Sequence, residues 1–336
     1  MRLVLVGFGV VGQSLIKLVN ESAPALVNRY GFVPRVVAII DSRGYAYNEK
    51  GLSAAKVLRT KGNTGRVGPS PQKTANELIT ELEADVVVET TPTNFTTGQP
   101  GLSHIRAAFM SGKNVVTCNK GPLGVAFHAL QELARHNSVQ FRYSGAVGGG
   151  TPILDFGKTC STGDDVTKVT GILNGTCNFI LTQMEQQHIS FKQALALAQK
   201  GGYAERDPTL DINGFDSAVK LSIIANHLGL SRATAAEVKV KGIEEISPEE
   251  VGRAAAKGMA VRLLANAEKE LTVAPALIQR DDPLCVSGPY NAVKFHCRSS
   301  GPKVIVGKGA GGPETASSIL RDLIEIRGSM NGMNDR

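Results

Sequence analysis

One short string limits the fold of this chain more than any other: Gly7-Phe8-Gly9-Val10-Val11-Gly12. It stands directly behind the apolar run Arg2–Val6 and directly ahead of a helical pattern carried by Leu15, Ile16 and Val19. Glycines at that spacing are common; between a buried strand and an apolar helix they become specific. Gly7 permits a tight turn, Gly9 lets a pyrophosphate come close to the backbone, and Gly12 lets helix and strand pack together. The helix start supplies unpaired N–H groups and the positive end of the helix dipole, which together hold phosphate. The expected ligand is a dinucleotide held by Gly7, Phe8, Gly9, Val10, Val11 and Gly12. The competing reading is a tight turn without a ligand.

The next strands extend the same pattern. Residues 36–40 form a second buried strand that ends at Asp41-Ser42-Arg43-Gly44. The acidic residue that bonds ribose usually comes about 20 residues behind the glycine string. Here residues 20–33 are inserted ahead of the strand and push Asp41 further on. Asp41 suits the ribose hydroxyls of NAD, whereas Arg43 suits the 2′-phosphate of NADP. The two pull in opposite directions. Arg43 and the basic balance of the chain favour NADP, with NAD as the alternative. Lys56 is either a further phosphate partner or a solvated lysine. Residues 85–92 are another buried strand ending in small polar residues, and Asn114–Thr117 is a further one, running into Cys118-Asn119-Lys120. Helical stretches at 102–110 and 125–136 alternate with these strands. The alternation predicts an α/β fold, a Rossmann-type doubly wound parallel sheet with ligands at the carboxyl ends of its strands. Thr90, Thr91, Thr117 and Lys120 all fall at such ends.

At 336 residues the chain has room for a second domain and a substantial core. A hydrophobic content of 42% and a charged content of 20% describe an ordinary globular enzyme. The absence of Trp and an aromatic content of 5% argue against a base-stacking surface. The net charge of +7 would suit a polyanion, but Lys and Arg are dispersed without a basic run. A small phosphate-bearing ligand is expected, and a nucleic acid is not. Cys118, Cys160, Cys177, Cys285 and Cys297 show neither Cys-x-x-Cys nor a metal-ligand spacing, which reads as reduced thiols in a cytoplasmic protein. No apolar run approaches the ~18 residues of a membrane span, and the strand at Arg2 leaves no room for a signal peptide.

The second half carries the chemistry. Residues 198–220 read Ala-Gln-Lys-Gly-Gly-Tyr-Ala-Glu-Arg-Asp-Pro-Thr-Leu-Asp-Ile-Asn-Gly-Phe-Asp-Ser-Ala-Val-Lys. Gly201 and Gly202 stop the helical pattern of Phe191–Lys200, and Pro208 is expected to keep the following residues extended. A new helix is expected to start near Asn213, with Leu221, Ile224, Ala225 and Leu228 at helical spacing. Asp216 and Lys220, four apart, project from one face of it. Taken alone, such a pair reads as a solvated surface ion pair.

The whole string resembles the signature of homoserine dehydrogenases, Ala-x3-Gly-Tyr-x-Glu-x-Asp-Pro-x2-Asp-x-Asn-Gly-x-Asp-x3-Lys, matched at every fixed position over 23 residues. Thr117-Cys118-Asn119-Lys120 is similar to the Thr-x-Asn-Lys element of the same family. Residues 144–153 resemble its glycine-dense hinge, with Ser144 where the family usually has Glu. Residues 171–181 resemble its Gly-Ile-x-Asn-Gly-Thr-x-Asn-Tyr-Ile-Leu segment, with Phe179 in place of Tyr. For that segment substrate contact and a plain strand–turn–helix packing unit remain equal alternatives. Residues 307–316, with Gly309, resemble the segment that returns to the nucleotide domain near the nicotinamide.

The resemblance implies an NAD(P)-dependent oxidoreductase that interconverts L-homoserine and L-aspartate 4-semialdehyde, a step of threonine, methionine and isoleucine biosynthesis. It implies Lys220 as proton donor and acceptor, held by Asp216, with Lys120 as a second essential lysine facing nicotinamide and substrate. Glu205 is implied for the substrate ammonium, with the Gly202 backbone, Asp211 and Asp216 in support. It also implies a nucleotide domain over about 1–140 closed by 305–330, and an α/β substrate-binding and dimerisation domain over 141–304 that makes a homodimer. The tail, 331–336, is expected to be disordered. No amino-acid-sensing domain is expected behind it, so cooperative threonine inhibition is not expected either. Relatives hold Na⁺ or K⁺ at the hinge with a Glu carboxylate and backbone carbonyls. The matching carbonyls are those of Val147, Gly149 and Thr151, but Ser144 removes the only formal negative charge, and weak cation binding or none is expected. Two other functions fit parts of the chain: a semialdehyde dehydrogenase with Cys118 as nucleophile, and an NADP(H)-binding redox sensor without turnover.

Overall fold

The computed structural model describes residues Met1–Met330; the tail expected to be disordered, 331–336, lies outside the described residues. The chain forms two compact units, Met1–Ala146 with the segment from Gly311 onward, and Val147–Ala310. Both passages fall a few residues beyond the expected 140/141 and 304/305. Two strands explain the difference: Phe141–Arg142 pairs in the first sheet, and residues 305–308 complete a strand of the second.

The first unit runs β1 (Arg2–Val6), α1 (Val10–Glu21), α2 (Ala23–Tyr30), β2 (Arg35–Asp41), β3 (Gly44–Tyr47), α3 (Ala54–Thr64), α4 (Ala75–Glu81), β4 (Val86–Glu89), α5 (Gly101–Met110), β5 (Asn114–Thr117), α6 (Lys120–His136) and β6 (Phe141–Arg142). The sheet order is β3-β2-β1-β4-β5-β6. All neighbours are parallel except the β2–β3 pair. Leu3, Val4, Leu5 and Val86 to Val88 have no exposed surface, as strands covered on both faces require. The inserted segment is a helix, α2, with Pro24 in its first turn and Gly31 (φ 71°) closing it in the left-handed conformation. From β1 the chain winds outward through β2 and β3, then returns to add β4 on the other side of β1. The topological switch lies between β1 and β4, where such sheets hold ligands.

The second unit runs α7 (Ile153–Ser161), β7 (Val166–Ile172), α8 (Gly175–Gln187), α9 (Phe191–Lys200), α10 (Thr209–Ile212), α11 (Phe215–His227), β8 (Lys239–Val240), α12 (Pro248–Ala256), β9 (Met259–Ala267), β10 (Leu271–Gln279), β11 (Tyr290–Cys297) and β12 (Gly301–Lys308). Its sheet order is β12-β11-β7-β9-β10-β8, antiparallel apart from the short β8–β10 pair. Capping boxes at Ser190 with Gln193 and at Ser247 with Glu250 set the starts of α9 and α12.

Two local expectations change. Pro208 does not extend the chain; it starts α10, and its carbonyl accepts the N–H groups of Asp211 and Ile212. A proline ring tolerates the first turn of a helix, where its missing N–H is not needed. Helix α11 starts at Phe215, behind Gly214 at φ 88°, and Asn213 Oδ1 accepts the Phe215 N–H at 2.9 Å. Every residue of α11 from Asp216 to Asn226 is buried, so Asp216 and Lys220 are core residues and no surface pair. The last helix, α13 (Gly312–Met330), belongs to the first unit. Its Ile319, Leu320, Leu323 and Ile326 join one core with Leu15, Ile16 and Val19 of α1. It continues to Met330, the last of the described residues.

Candidate active site

At the carboxyl ends of β1, β2 and β4 the first unit holds a cleft of about 790 Å³. The turn from Gly7 to Val11 forms one wall, Asp41 and Arg43 lie at one end, and Thr90 and Thr91 line it on the β4 side. Gly7 sits at φ 91°, and a Cβ there would come 2.7 Å from the Thr90 carbonyl oxygen; only glycine fits. A Cβ on Gly12 would come 2.6 Å from the Gly7 carbonyl oxygen, whereas nothing lies within 4 Å of one on Gly9. Close packing at Gly7 and Gly12 with open space over Gly9 suits the approach of a pyrophosphate. Helix α1 has no side-chain cap and no acid in its first turn, which leaves its first N–H groups to an anion. The residues present fit a dinucleotide.

Asp41 is committed on both oxygens. Oδ1 accepts the Phe8 N–H at 3.4 Å and Oδ2 pairs with Lys61 Nζ at 2.5 Å. Lys61 of α3 lines the cleft, and Lys56 does not. The sequence offered no way to choose between two lysines of one helix until its face was known. Arg43 is exposed, with no hydrogen bond or ion pair among the described residues. Thr117 does not line the cleft: it has no exposed surface, and its hydroxyl donates to Glu89 Oε2 at 3.0 Å. Lys120 opens α6, behind the N-cap Asn119. Burial, with the Glu89 carboxylate second, pushes the Cys118 thiol up to about 12. That direction disfavours the thiolate a nucleophilic Cys118 would use.

At the hinge, Ser144 donates both its N–H (3.0 Å) and its hydroxyl (2.7 Å) to the buried carboxylate of Asp322 in α13. The expectation of no formal negative charge there is therefore corrected. A carboxylate stands beside Ser144, brought from 178 residues away. In the second unit Gly148 (φ 85°) and Gly149 (φ 56°) take conformations that favour glycine. The Thr151 hydroxyl donates to the Lys308 carbonyl at 3.1 Å. Val147, Gly149 and Thr151 are buried.

The remaining candidates gather in the second unit around the end of β7. Asn174 caps α8 by accepting the Cys177 N–H at 2.8 Å. Its Nδ2 donates to Asp211 Oδ1 at 2.6 Å and to Asp216 Oδ2 at 3.0 Å. Lys220 Nζ lies 2.6 Å from Asp216 Oδ2 and donates to the Leu173 carbonyl at 2.8 Å. Lys220 is 7% and Asp216 8% exposed. Thr176 Oγ reaches Asp211 Oδ2 at 3.0 Å and the Tyr203 carbonyl at 2.7 Å. The segment around Asn174 is thus both a packing unit and part of the polar cluster. Burial, and next the Asp216 charge, raises Asp211 above the usual carboxylate range, against the hydrogen bonds from Asn174 and Thr176.

Gly202 (φ 73°) and Glu205 lie on the exposed loop between α9 and α10. No hydrogen bond ties the Glu205 carboxylate to the cluster, and it has no partner among the described residues. Sequence reasoning missed Asn291. Its Nδ2 donates at 3.0 Å to the same Leu173 carbonyl that Lys220 uses, and its Oδ1 is buried without a partner. Gly309 lies against this amide, and a Cβ there would come 2.1 Å from Nδ2. The glycine was visible in the sequence, but the residue it makes room for was not.

A lysine ammonium has three N–H groups; Asp216 and the Leu173 carbonyl accept two of those on Lys220, which leaves one position on Nζ for a further partner.

Family models cover most of the chain. One described as the NAD binding domain of homoserine dehydrogenase matches residues 7–144, and one described as homoserine dehydrogenase matches 152–324. The homoserine dehydrogenase of Methanocaldococcus jannaschii is 41% identical over 98% of this chain and 99% of its own length. An NAD(+)-dependent homoserine dehydrogenase of Pseudomonas canavaninivorans is 37% identical over 98% of this chain and 96% of its own. A crystal structure of an Archaeoglobus fulgidus protein assigned to the same activity superposes with a TM-score of 0.90 at 38% identity, covering 97% of this chain and 99% of that one. Matched along nearly its whole length by sequence and by shape, this chain belongs to the homoserine dehydrogenase family and is an NAD(P)-dependent oxidoreductase.

Proposed function

We propose that this chain interconverts L-homoserine and L-aspartate 4-semialdehyde with Lys220 Nζ as the group that takes and returns the hydroxyl proton. The observation that carries this reading is the burial of Nζ between Asp216 Oδ2 and the Leu173 carbonyl, 2.6 Å and 2.8 Å away. A nicotinamide cofactor supplies the hydride acceptor, held by Gly7 to Gly12 and by Thr90 and Thr91. Oxidising an alcohol then requires only that its O–H proton find a base as hydride departs. Asp216 fixes the amine in place. Glu205, whose carboxylate is uncommitted, receives the substrate ammonium, with the Gly202 backbone and Asp211 in support, and Lys120 is the second essential lysine. Purified protein given homoserine and either cofactor is expected to build up absorbance of the reduced nicotinamide. Cofactor binding without any homoserine-dependent signal would leave the non-catalytic redox sensor as the better reading.

Within that reading NADP is the preferred cofactor. Lys61 offsets the Asp41 charge, and the Arg43 guanidinium at the cleft can grip a 2′-phosphate. A charge-assisted hydrogen bond contributes about 1.5–3 kcal/mol, so Arg43→Ala is expected to lower kcat/KM for NADP by roughly 10–100-fold. The value for NAD should hardly move. An unchanged ratio of the two would show that Arg43 does not select. Cation binding is weak or absent, because the Asp322 carboxylate beside the hinge is already met by the Ser144 N–H and hydroxyl and Ser144 itself carries no charge. Exchanging Na⁺ and K⁺ for a bulky organic cation at fixed ionic strength should leave the rate nearly unchanged, and a collapse would refute this.

A homodimer is proposed as well. Tyr290 and Val306, on one face of the β11–β12 ladder, are 43% and 47% exposed, and a second copy would cover them. Sedimentation as a monomer at micromolar concentration would count against it. A cytoplasmic location is supported by the free thiols at all five cysteines. No helix among the described residues is long and apolar enough to cross a membrane.

A further inference from the structure

Glu89 ends β4 with no exposed surface. Taking a carboxylate out of water is costly unless its oxygens are met by donors. Here Oε1 accepts the Thr91 N–H at 2.9 Å and the Thr91 hydroxyl. Oε2 accepts the Thr117 hydroxyl at 3.0 Å. Thr117 Oγ in turn accepts the Asn119 N–H at 3.1 Å. Asn119 Nδ2 reaches Thr91 Oγ at 3.3 Å, and its Oδ1 accepts the Gly121 N–H at 3.1 Å at the start of α6. The ring closes through Thr91. It ties the loop behind β4 to the loop behind β5, and α6 then opens with Lys120. Gly101 completes the enclosure, since a Cβ there would come 2.7 Å from Asn119 Nδ2 and 3.1 Å from Glu89 Oε2. His104 stands close by, with Nδ1 3.8 Å from Oε1, too far for a hydrogen bond.

Thr91 and His104 also line the cleft, as do Asp41 and Arg43. In a doubly wound sheet a dinucleotide straddles the switch point. If its adenosine half lies at the end of β2, its nicotinamide half falls at the ends of β4 and β5. We propose that Glu89 is a positioning residue for the nicotinamide half of the cofactor and for Lys120. Its carboxylate locks the two loops in one arrangement while the adenosine end of the cleft is built without it. An apolar side chain would fill the same core, but only an acceptor meeting three donors fixes where Thr91, Asn119 and the start of α6 lie. This rests on the dinucleotide reading above.

The test compares whole cofactor with its adenosine half, ADP-ribose or the 2′-phosphate of ADP-ribose. Glu89→Leu removes every acceptor, and misplacing a reacting group by an ångström costs up to about 100-fold. The variant is expected to lose about 10–100-fold both in affinity for the reduced cofactor and in kcat, with adenosine-half affinity unchanged within error. Glu89→Gln should restore most of the loss. It keeps one acceptor for Thr91, and the Thr117 hydroxyl can turn to the Glu89 backbone carbonyl 3.2 Å away. Should Glu89→Leu not fold, Thr117→Val reads the same ratio, because it removes one donor to the carboxylate at a residue that does not line the cleft. Equal losses for the two ligands would make Glu89 a general support of the domain and overturn the proposal. So would full activity of the Leu variant, or of Thr117→Val where that variant carries the test. Failure of the unmutated protein to bind either ligand would sink the dinucleotide reading itself.

Discussion

Lys220→Met is expected to lower kcat for homoserine oxidation by about 10²–10⁴-fold, the usual contribution of a positioned acid or base. The affinity for reduced cofactor should stay within about twofold. Methionine keeps the unbranched length of the lysine stem and its fit in the buried face of α11, but has no Nζ. What is lost is the one group placed between Asp216 Oδ2 and the Leu173 carbonyl with a position left for the substrate proton. Cofactor affinity should survive because the glycine turn, Asp41 and Thr90 belong to the other compact unit. Some stability should go, since Asp216 loses its cation and keeps Asn174 at 3.0 Å. Rapid-mixing measurements of the first turnover, beside a fluorescence titration with reduced cofactor, separate these effects. Weakened cofactor binding with an undiminished chemical step would show that Lys220 serves the cofactor and not the proton.

How much of this was legible beforehand depended on how far each interaction reaches along the chain. The turn at Gly7 to Gly12 and the strand Asn114–Thr117 were readable because their constraints are local. Three glycines and an apolar run state the backbone they need. The string from Gly201 to Lys220 was readable by resemblance, and Asp216 with Lys220 by helical spacing. Their burial was not, because it comes from α11 being enclosed on all sides. The carboxylate at Ser144 was out of reach for the same reason. Asp322 is 178 residues away, and only the return of α13 to the first unit brings it there. Glu89 was hidden behind a run of valines, and nothing in that local string marks it as the acceptor that joins two loops. Asn291 reaches across 118 residues to the Leu173 carbonyl that Lys220 also uses. Pro208 misled in the other direction: its ring suits both an extended chain and the start of a helix, and the local string does not choose.

Asp216 is the second position where a single change should have a large effect, and two variants divide its roles. Asp216→Ala leaves a buried ammonium at Lys220 with only the Leu173 carbonyl as a remaining partner. Breaking a buried pair from one side costs about 3–5 kcal/mol, so the midpoint of urea unfolding should fall clearly, with little change in its slope. Asp216→Asn keeps the shape and one oxygen, enough to accept from both Lys220 and Asn174. Its loss in stability should be only about 1–2 kcal/mol. It removes the charge, however, and with it the attraction that holds Nζ at 2.6 Å. Both variants should therefore lose at least about tenfold in kcat, although only the alanine is much less stable. Asp211 adds an independent sign. It is raised by burial first and by the Asp216 charge second, so either variant should bring it back toward the ordinary carboxylate range, visible in carbon NMR of the side-chain carboxyl. If Asp216→Asn turned over as fast as the unmodified protein, the charge would be irrelevant to the proton transfer. The pair would then be structural.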